Sequence, residues 1–185
     1  MGLQLKRYRL FLWVVLFHSG AGDASALEFS SETVTSSRGV SFDGKVYVSG
    51  NKVRMESGAD VNIVRGDKGV TWALMPGRRM YLERPVDARM IAGTSETMPG
   101  EIEREFLGND TVNGRKVARY RVVYDDNGMS RALELWLDPV SSLPFRVRAE
   151  DGGWTVEYRN AVTWPEDTAL FELPQGYSRY KEKSY

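Results

Sequence analysis

The sequence has no cysteine and a single histidine, His18, among 185 residues. Without cysteine there are no disulfides, no thiolate nucleophiles, no zinc–thiolate sites and no thiolate-ligated iron–sulfur clusters. An excess of charge of either sign is also missing, because 25 Lys and Arg balance 25 Asp and Glu. That balance removes the electrostatic case for a nucleic-acid partner. Neither a G-x-S-x-G nucleophile elbow nor a complete G-x-x-x-x-G-K-[ST] phosphate loop occurs. The composition that remains, 42% hydrophobic and 27% charged, is that of a soluble globular chain. Its length suits one domain.

The first 26 residues read as an address. Lys6, Arg7 and Arg9 precede an uninterrupted apolar run from Leu10 to Phe17. Small residues follow, ending in the A-x-A site Ala24-Ser25-Ala26. The pattern predicts a secretory signal peptide cleaved after Ala26. The apolar run has 8 residues, and a membrane-spanning helix needs about 20. No membrane span is therefore expected after cleavage. Removing residues 1–26 leaves 159 residues with 22 basic and 24 acidic side chains. His18 goes with them, so the mature chain lacks the side chain most used for general base catalysis and the usual ligands of zinc and copper. No catalytic residue, metal site or cofactor is predicted.

From Leu27 onward the chain alternates with period two, broken by turn dipeptides. Strands are expected over residues 28–35, 45–49, 52–56, 60–64, 69–75, 78–83, 102–107, 116–124, 131–137, 145–150 and 154–158. Gly50-Asn51 between two β-rich runs is a hairpin signal, as are Asn113-Gly114 and Asn127-Gly128. Val46 and Val48 share one face, and Val53 and Met55 share a face of the partner strand. The pattern predicts a mainly β fold, an antiparallel meander forming a curved sheet, a barrel or a half-barrel. Pro85 to Gly100 breaks the rhythm, and residues 86–92 within it suit about two helical turns. That segment is expected to be either a short helical or irregular cover, or a surface loop. Residues 27–177 form the domain, and residues 178–185 a polar, frayed tail.

Glu101, Glu103 and Glu105 alternate along one predicted strand, with Arg104 facing away. They read as a solvated face rather than as paired catalytic carboxylates. Asp125-Asp126-Asn127-Gly128 reads as a hairpin turn rather than a calcium loop. The prominent feature is soft and apolar: Trp72, Leu74 and Met75, then Met80, Tyr81 and Leu82, then Met90, Ile91 and Met98, with Trp136, Phe145, Trp154, Trp164 and Phe171 later. Such side chains either close a core or line a pocket for varied apolar ligands. The candidate ligand-binding residues are Trp72, Leu74, Met80, Met90, Ile91 and Trp136.

Residues 41–56, SFDGKVYVSGNKVRME, resemble the opening hairpins of bacterial outer-membrane lipoprotein-sorting proteins, relatives of the periplasmic lipoprotein carrier in the LolA-like superfamily. Trp72-Ala73-Leu74-Met75-Pro76 with Arg79-Met80-Tyr81 is similar to the same group. So are Asp110 to Gly114 with Arg119-Tyr120, Glu134 to Asp138 with Leu143-Pro144, and Phe171 to Tyr177. The resemblance spans residues 28–177. It implies an unclosed antiparallel β-barrel with a segment across its open side, and a periplasmic location. It implies non-covalent binding or transport of a lipid, acyl chain or lipoprotein in outer-membrane lipoprotein sorting, without enzymatic activity. The alternative on the same fold is an envelope protein-interaction or sensor module, whose partner is another envelope protein.

Overall fold

The computed structural model describes residues 27–94, 97–163 and 167–181. The expected signal segment, Trp164 and the last four residues of the tail lie outside the described residues. Eleven strands carry the fold: β1 (Glu28–Ser37), β2 (Val40–Ser49), β3 (Lys52–Ser57), β4 (Asp60–Arg65), β5 (Val70–Met75), β6 (Met80–Pro85), β7 (Glu101–Val112), β8 (Arg115–Asp126), β9 (Met129–Leu137), β10 (Pro144–Ala149) and β11 (Trp154–Val162). A two-residue strand, β12 (Ser178–Arg179), completes one sheet in the order β12-β6-β5-β4-β3-β2-β1-β11-β10-β9-β8-β7. Neighbours are antiparallel except β12, which joins β6 in parallel. Among the described residues the ends of that order do not pair, so the barrel stays open, as the resemblance implies.

Turn chemistry sets the register. Gly50-Asn51 places Ser49 opposite Lys52, and Gly50 takes φ +61° at the first central position of the turn. A side chain there would strain the backbone, and glycine avoids that cost. The same logic sets the Asn113-Gly114 and Asn127-Gly128 hairpins, where both residues have positive φ. The first hairpin runs longer than predicted. Its turn is Arg38-Gly39, embedded in Ser- and Thr-rich sequence with few apolar residues. β6 starts at Met80 rather than Arg78, because Pro76–Arg78 form a 3-10 turn ending with Arg79 at φ +49°.

The two faces of the sheet differ. On the inner face Val46, Val48, Val53 and Val64 from one limb meet Val122, Leu133, Leu135 and Val147 from the other in one cluster, with Phe29 of β1 between them. β1 and β11 separate these limbs in the sheet, so their contact requires the sheet to curl. Phe29, Val48, Val64 and Val122 are fully buried, each contributing about 1.5–3 kcal/mol.

On the outer face a strap formed by residues 167–181 crosses β3 to β6. Its 3-10 turn, Thr168–Phe171, buries Phe171 fully against Ile63, Trp72 and Leu74. Arg65 clamps the strap. Its guanidinium donates to the Phe171 carbonyl oxygen at 3.3 Å and pairs with Glu172 and Asp67. The tail is tied down at its start: Ser178 N–H donates to the Arg79 carbonyl at 3.0 Å, and Tyr180 N–H to that of Tyr81 at 2.8 Å. Ser178 and Tyr180 are thus hydrogen-bonded to the sheet edge, at the start of the segment that the sequence suggests is frayed.

The clamp makes a pH prediction. The Arg65 hydrogen bond and charge outweigh burial and hold the Asp67 carboxyl down from 3.8 to about 2. A carboxylate depressed by folding stabilises the fold above its unfolded pKa of about 3.9, and that stability is lost as pH falls through the folded value. Asp67→Asn is expected to lower the melting temperature at pH 7. The gap to the parent protein should then close as pH falls from about 4 to about 2. A gap that stays constant over this range would show that Asp67 does not titrate against Arg65.

β7 corrects the reading of the acidic strand. A register shift between Glu101 and Glu103 interrupts the alternation. Glu101 thereby reaches Arg104, accepting from Nε at 2.8 Å and from Nη2 at 2.8 Å. The two were expected on opposite faces, and the bulge puts them on one.

Candidate functional site

The inner face is closed by the segment that interrupts the strands. Between β6 and β7, residues 86–94 and 97–100 lie across the open side. Among the segment's described residues only Ala88–Ile91 is helical, as a single 3-10 turn, where residues 86–92 suit two turns by sequence. So short a stretch cannot repay helix nucleation, and docking onto the core decides its shape. Asp87 caps the turn, accepting from the Arg89 amide at 2.9 Å. Ile91, Ala92 and Met98 point into the inner core and are 8%, 3% and 4% exposed.

Several contacts fasten this cover. Thr94 Oγ1 donates to the Ile91 carbonyl at 2.8 Å, and the Tyr158 hydroxyl donates to the Ala92 carbonyl at 3.4 Å. Burial pushes the Tyr158 phenol well above its usual range, so it stays a donor. Gly93 lies flat on β9 and β10. A β-carbon there would sit 2.8 Å from Val147 Cγ2, and its φ is +77°. At the far end the Asp125 amide donates to the Gly100 carbonyl at 2.8 Å, and the Met98 amide donates to Glu101 at 2.8 Å. Burial alone would raise the Glu101 carboxyl, but Arg104 and the Met98 amide outweigh it and hold it below the usual range.

Cavities flank the cover on both sides. A cleft of about 950 Å³ opens between the cover and the loops at residues 50–51, 66–69 and 125–127. Its volume lies within the span typical of small-molecule sites. Val53, Ile91 and Met98 contribute apolar walls, and Arg84, Asp87 and Arg89 contribute charge. On the other side a slot of about 230 Å³ lies between Met90 and Ala92 of the cover and Val46, Met55, Val156 and Tyr158 of the sheet. Arg89 is held by Asp87 through Nε–Oδ1 at 2.9 Å and Nη2–Oδ2 at 2.6 Å. The Arg89 hydrogen bond keeps the Asp87 carboxyl below its usual range despite partial burial.

The six candidate residues fall in different places. Ile91 lines the cleft and Met90 the slot. Met80 stands on β6 opposite Met75, outside the lining of both cavities. Trp72 and Leu74 lie on the outer face against Phe171, with Trp72 Nε1 donating to Glu83 at 3.1 Å. Trp136 sits in a third cluster with Val112 and Val117, its indole N–H donating to Asp110 at 2.8 Å. The guanidiniums of Arg119, Arg146 and Arg148 approach its ring within 5.2–5.6 Å. A ligand on Trp72 or Leu74 would have to displace the strap, and one on Trp136 would have to displace the arginines. Sequence reasoning missed Val53, Arg84, Arg89 and the turn residues around the cleft. Met98 stood in the apolar set but not among the candidates. Nothing in an apolar count marks loop residues such as Asn51, Gly66 or Asn127, which the fold gathers at one end.

Among the described residues no group of three His, Asp or Glu side chains could hold a metal ion. No helix among them is long and apolar enough to cross a membrane.

No family model matches the chain, and no curated protein matches it. Solved structures do. An uncharacterized conserved protein from Thermus thermophilus is 12% identical with a TM-score of 0.55, over 85% of this chain and 93% of its own. A chain of the MucA/MucB complex from Pseudomonas aeruginosa is 16% identical with a TM-score of 0.46, over 78% of this chain and 55% of its own. This chain thus spans little more than half the length of that one. A domain from Vibrio parahaemolyticus described as an outer membrane lipoprotein-sorting protein is 10% identical with a TM-score of 0.41, over 78% of this chain and 89% of its own. At these identities the likeness is one of fold. The unclosed β-barrel implied by the resemblance to the LolA-like proteins is the fold of this chain.

Proposed function

We propose that this protein binds a lipid, an acyl chain or an acylated lipoprotein non-covalently, and carries it in outer-membrane lipoprotein sorting. The observation that carries the reading is the cleft of about 950 Å³ between the curled sheet and its cover, with Val53, Ile91 and Met98 in its walls. Burial of apolar chain supplies about 0.8 kcal/mol per methylene, so affinity needs no catalytic group. The site is proposed to comprise Val53, Ile91 and Met98 in the cleft, and Met90 in the adjoining slot. The signal segment over residues 1–26 supports export, and the resemblance supports a periplasmic destination.

The test is to purify the mature protein from its native periplasm without detergent and extract it with organic solvent. Mass spectrometry of the extract is expected to show a stoichiometric phospholipid, fatty acid or acylated peptide. An empty protein that also fails to take up lipid would overturn the reading.

One feature favours a second reading, an envelope protein-interaction module. β7 is a free edge, and on it Ile102, Phe106 and Leu107 are 65%, 56% and 41% exposed. Open edges can accept a partner's strand. A stable protein captured by crosslinking at β7, with no co-purified lipid, would support it.

A further inference from the structure

We propose that the Arg89 side chain sets the length of apolar chain that the groove accepts. This rests on the reading of the cleft as a ligand site. The cleft and the slot share Arg89 and Thr94 in their linings. A third cavity of about 580 Å³, toward Ser37, Tyr124 and Arg131, shares Arg89 and Trp154 with the slot. Arg89 is the one residue common to all three linings. All three spaces border this one side chain.

That side chain is fixed. Asp87 grips it by Nε and Nη2 and also accepts from its backbone amide. A half-exposed arginine free in solvent would sample many rotamers, but this one stands as a post where the three spaces meet. A chain entering by the cleft, past Val53, Ile91 and Met98, meets it before it can pass into the slot beside Met90 or on toward Trp154.

The experiment measures affinity for saturated fatty acids from about eight to about eighteen carbons, on the full chain without its signal segment. In the parent protein affinity is expected to rise with length, by up to about fourfold per methylene, and then to level off. Arg89→Ala is expected to move the levelling point out by several carbons. Arg89→Met restores an unbranched apolar post that reaches well beyond alanine and is expected to return the levelling point part of the way to the parent's. Losing the cation shifts every chain alike, so it raises or lowers the curve without moving that point. An unmoved levelling point in Arg89→Ala overturns the proposal. So does a parent curve that rises throughout, or an equal shift in both variants. A parent protein that binds none of the acids overturns the proposal, and one that also takes up no phospholipid or acylated peptide overturns the carrier reading itself.

Discussion

Phe171→Ala is expected to lower the free energy of unfolding by about 3–5 kcal/mol. The side chain is fully buried between the strap and β4 and β5, against Ile63, Trp72 and Leu74. Truncation removes its transfer free energy and leaves a cavity that the strands cannot close, because their register fixes Ile63 opposite Trp72. The loss reaches the edge of the sheet as well. The strap continues from Phe171 into β12, whose two residues pair with β6, and a strand that short has little hold of its own. Urea denaturation checks the magnitude. Chain-length preference for fatty acids should be unchanged, because Phe171 lies on the opposite face from the cleft. A variant as stable as the parent would show that the strap is not part of the folded core.

Gly93→Ala is the second large effect, expected to cost about 2–4 kcal/mol through a left-handed backbone and overpacking. A β-carbon at Gly93 would meet Val147 Cγ2 at 2.8 Å, and Val147 is itself buried on the inner face. The strain falls on the cover rather than the sheet, since the sheet is held by its ladders on both sides. The Thr94 amide, which donates to the Ile91 carbonyl at 3.1 Å, is expected to exchange with solvent faster. Amides of β9 and β10 should hold their protection. Hydrogen exchange read residue by residue separates the two. Equal loosening of cover and strands would mean that the segment is one unit with the barrel.

Most of the scaffold was legible because one face of each strand is buried. Leu133, Leu135 and Leu137 alternate with Glu134 and Trp136, and the structure puts the leucines in the inner core and Trp136 outside it. Gly50-Asn51 announced its hairpin, because few sequences other than those with glycine or asparagine adopt that backbone. The Arg38-Gly39 hairpin was less legible. Between Val34 and Val40 the apolar rhythm lapses, and arginine is a poor signal for positive φ. The bulge at Glu101 was invisible, since alternation carries no mark of an extra residue.

The site was harder for a physical reason. Period two says that Trp72 and Leu74 share a face, but not which of the two faces of a curled sheet is the inner one. Both faces here are apolar, because the strap buries the outer face of β3 to β6 as the cover buries the inner. Sequence therefore grouped Trp72, Leu74 and Trp136 with Met90 and Ile91, and the fold separates them. Arg89 and the glycines at the cleft carry no apolar signal, and only the fold brings them together.

The central claim is that apolar ligand lies on the inner face, beneath the 85–100 segment. The direct measurement is photolabelling with a fatty acid bearing a diazirine near its methyl end, followed by peptide mapping. The predicted result is label on the peptides holding Val53 and on those holding Met90, Ile91 and Met98, competed by unlabelled fatty acid. Label confined to the peptides of Trp72 and Phe171, or no competed label at all, would contradict it.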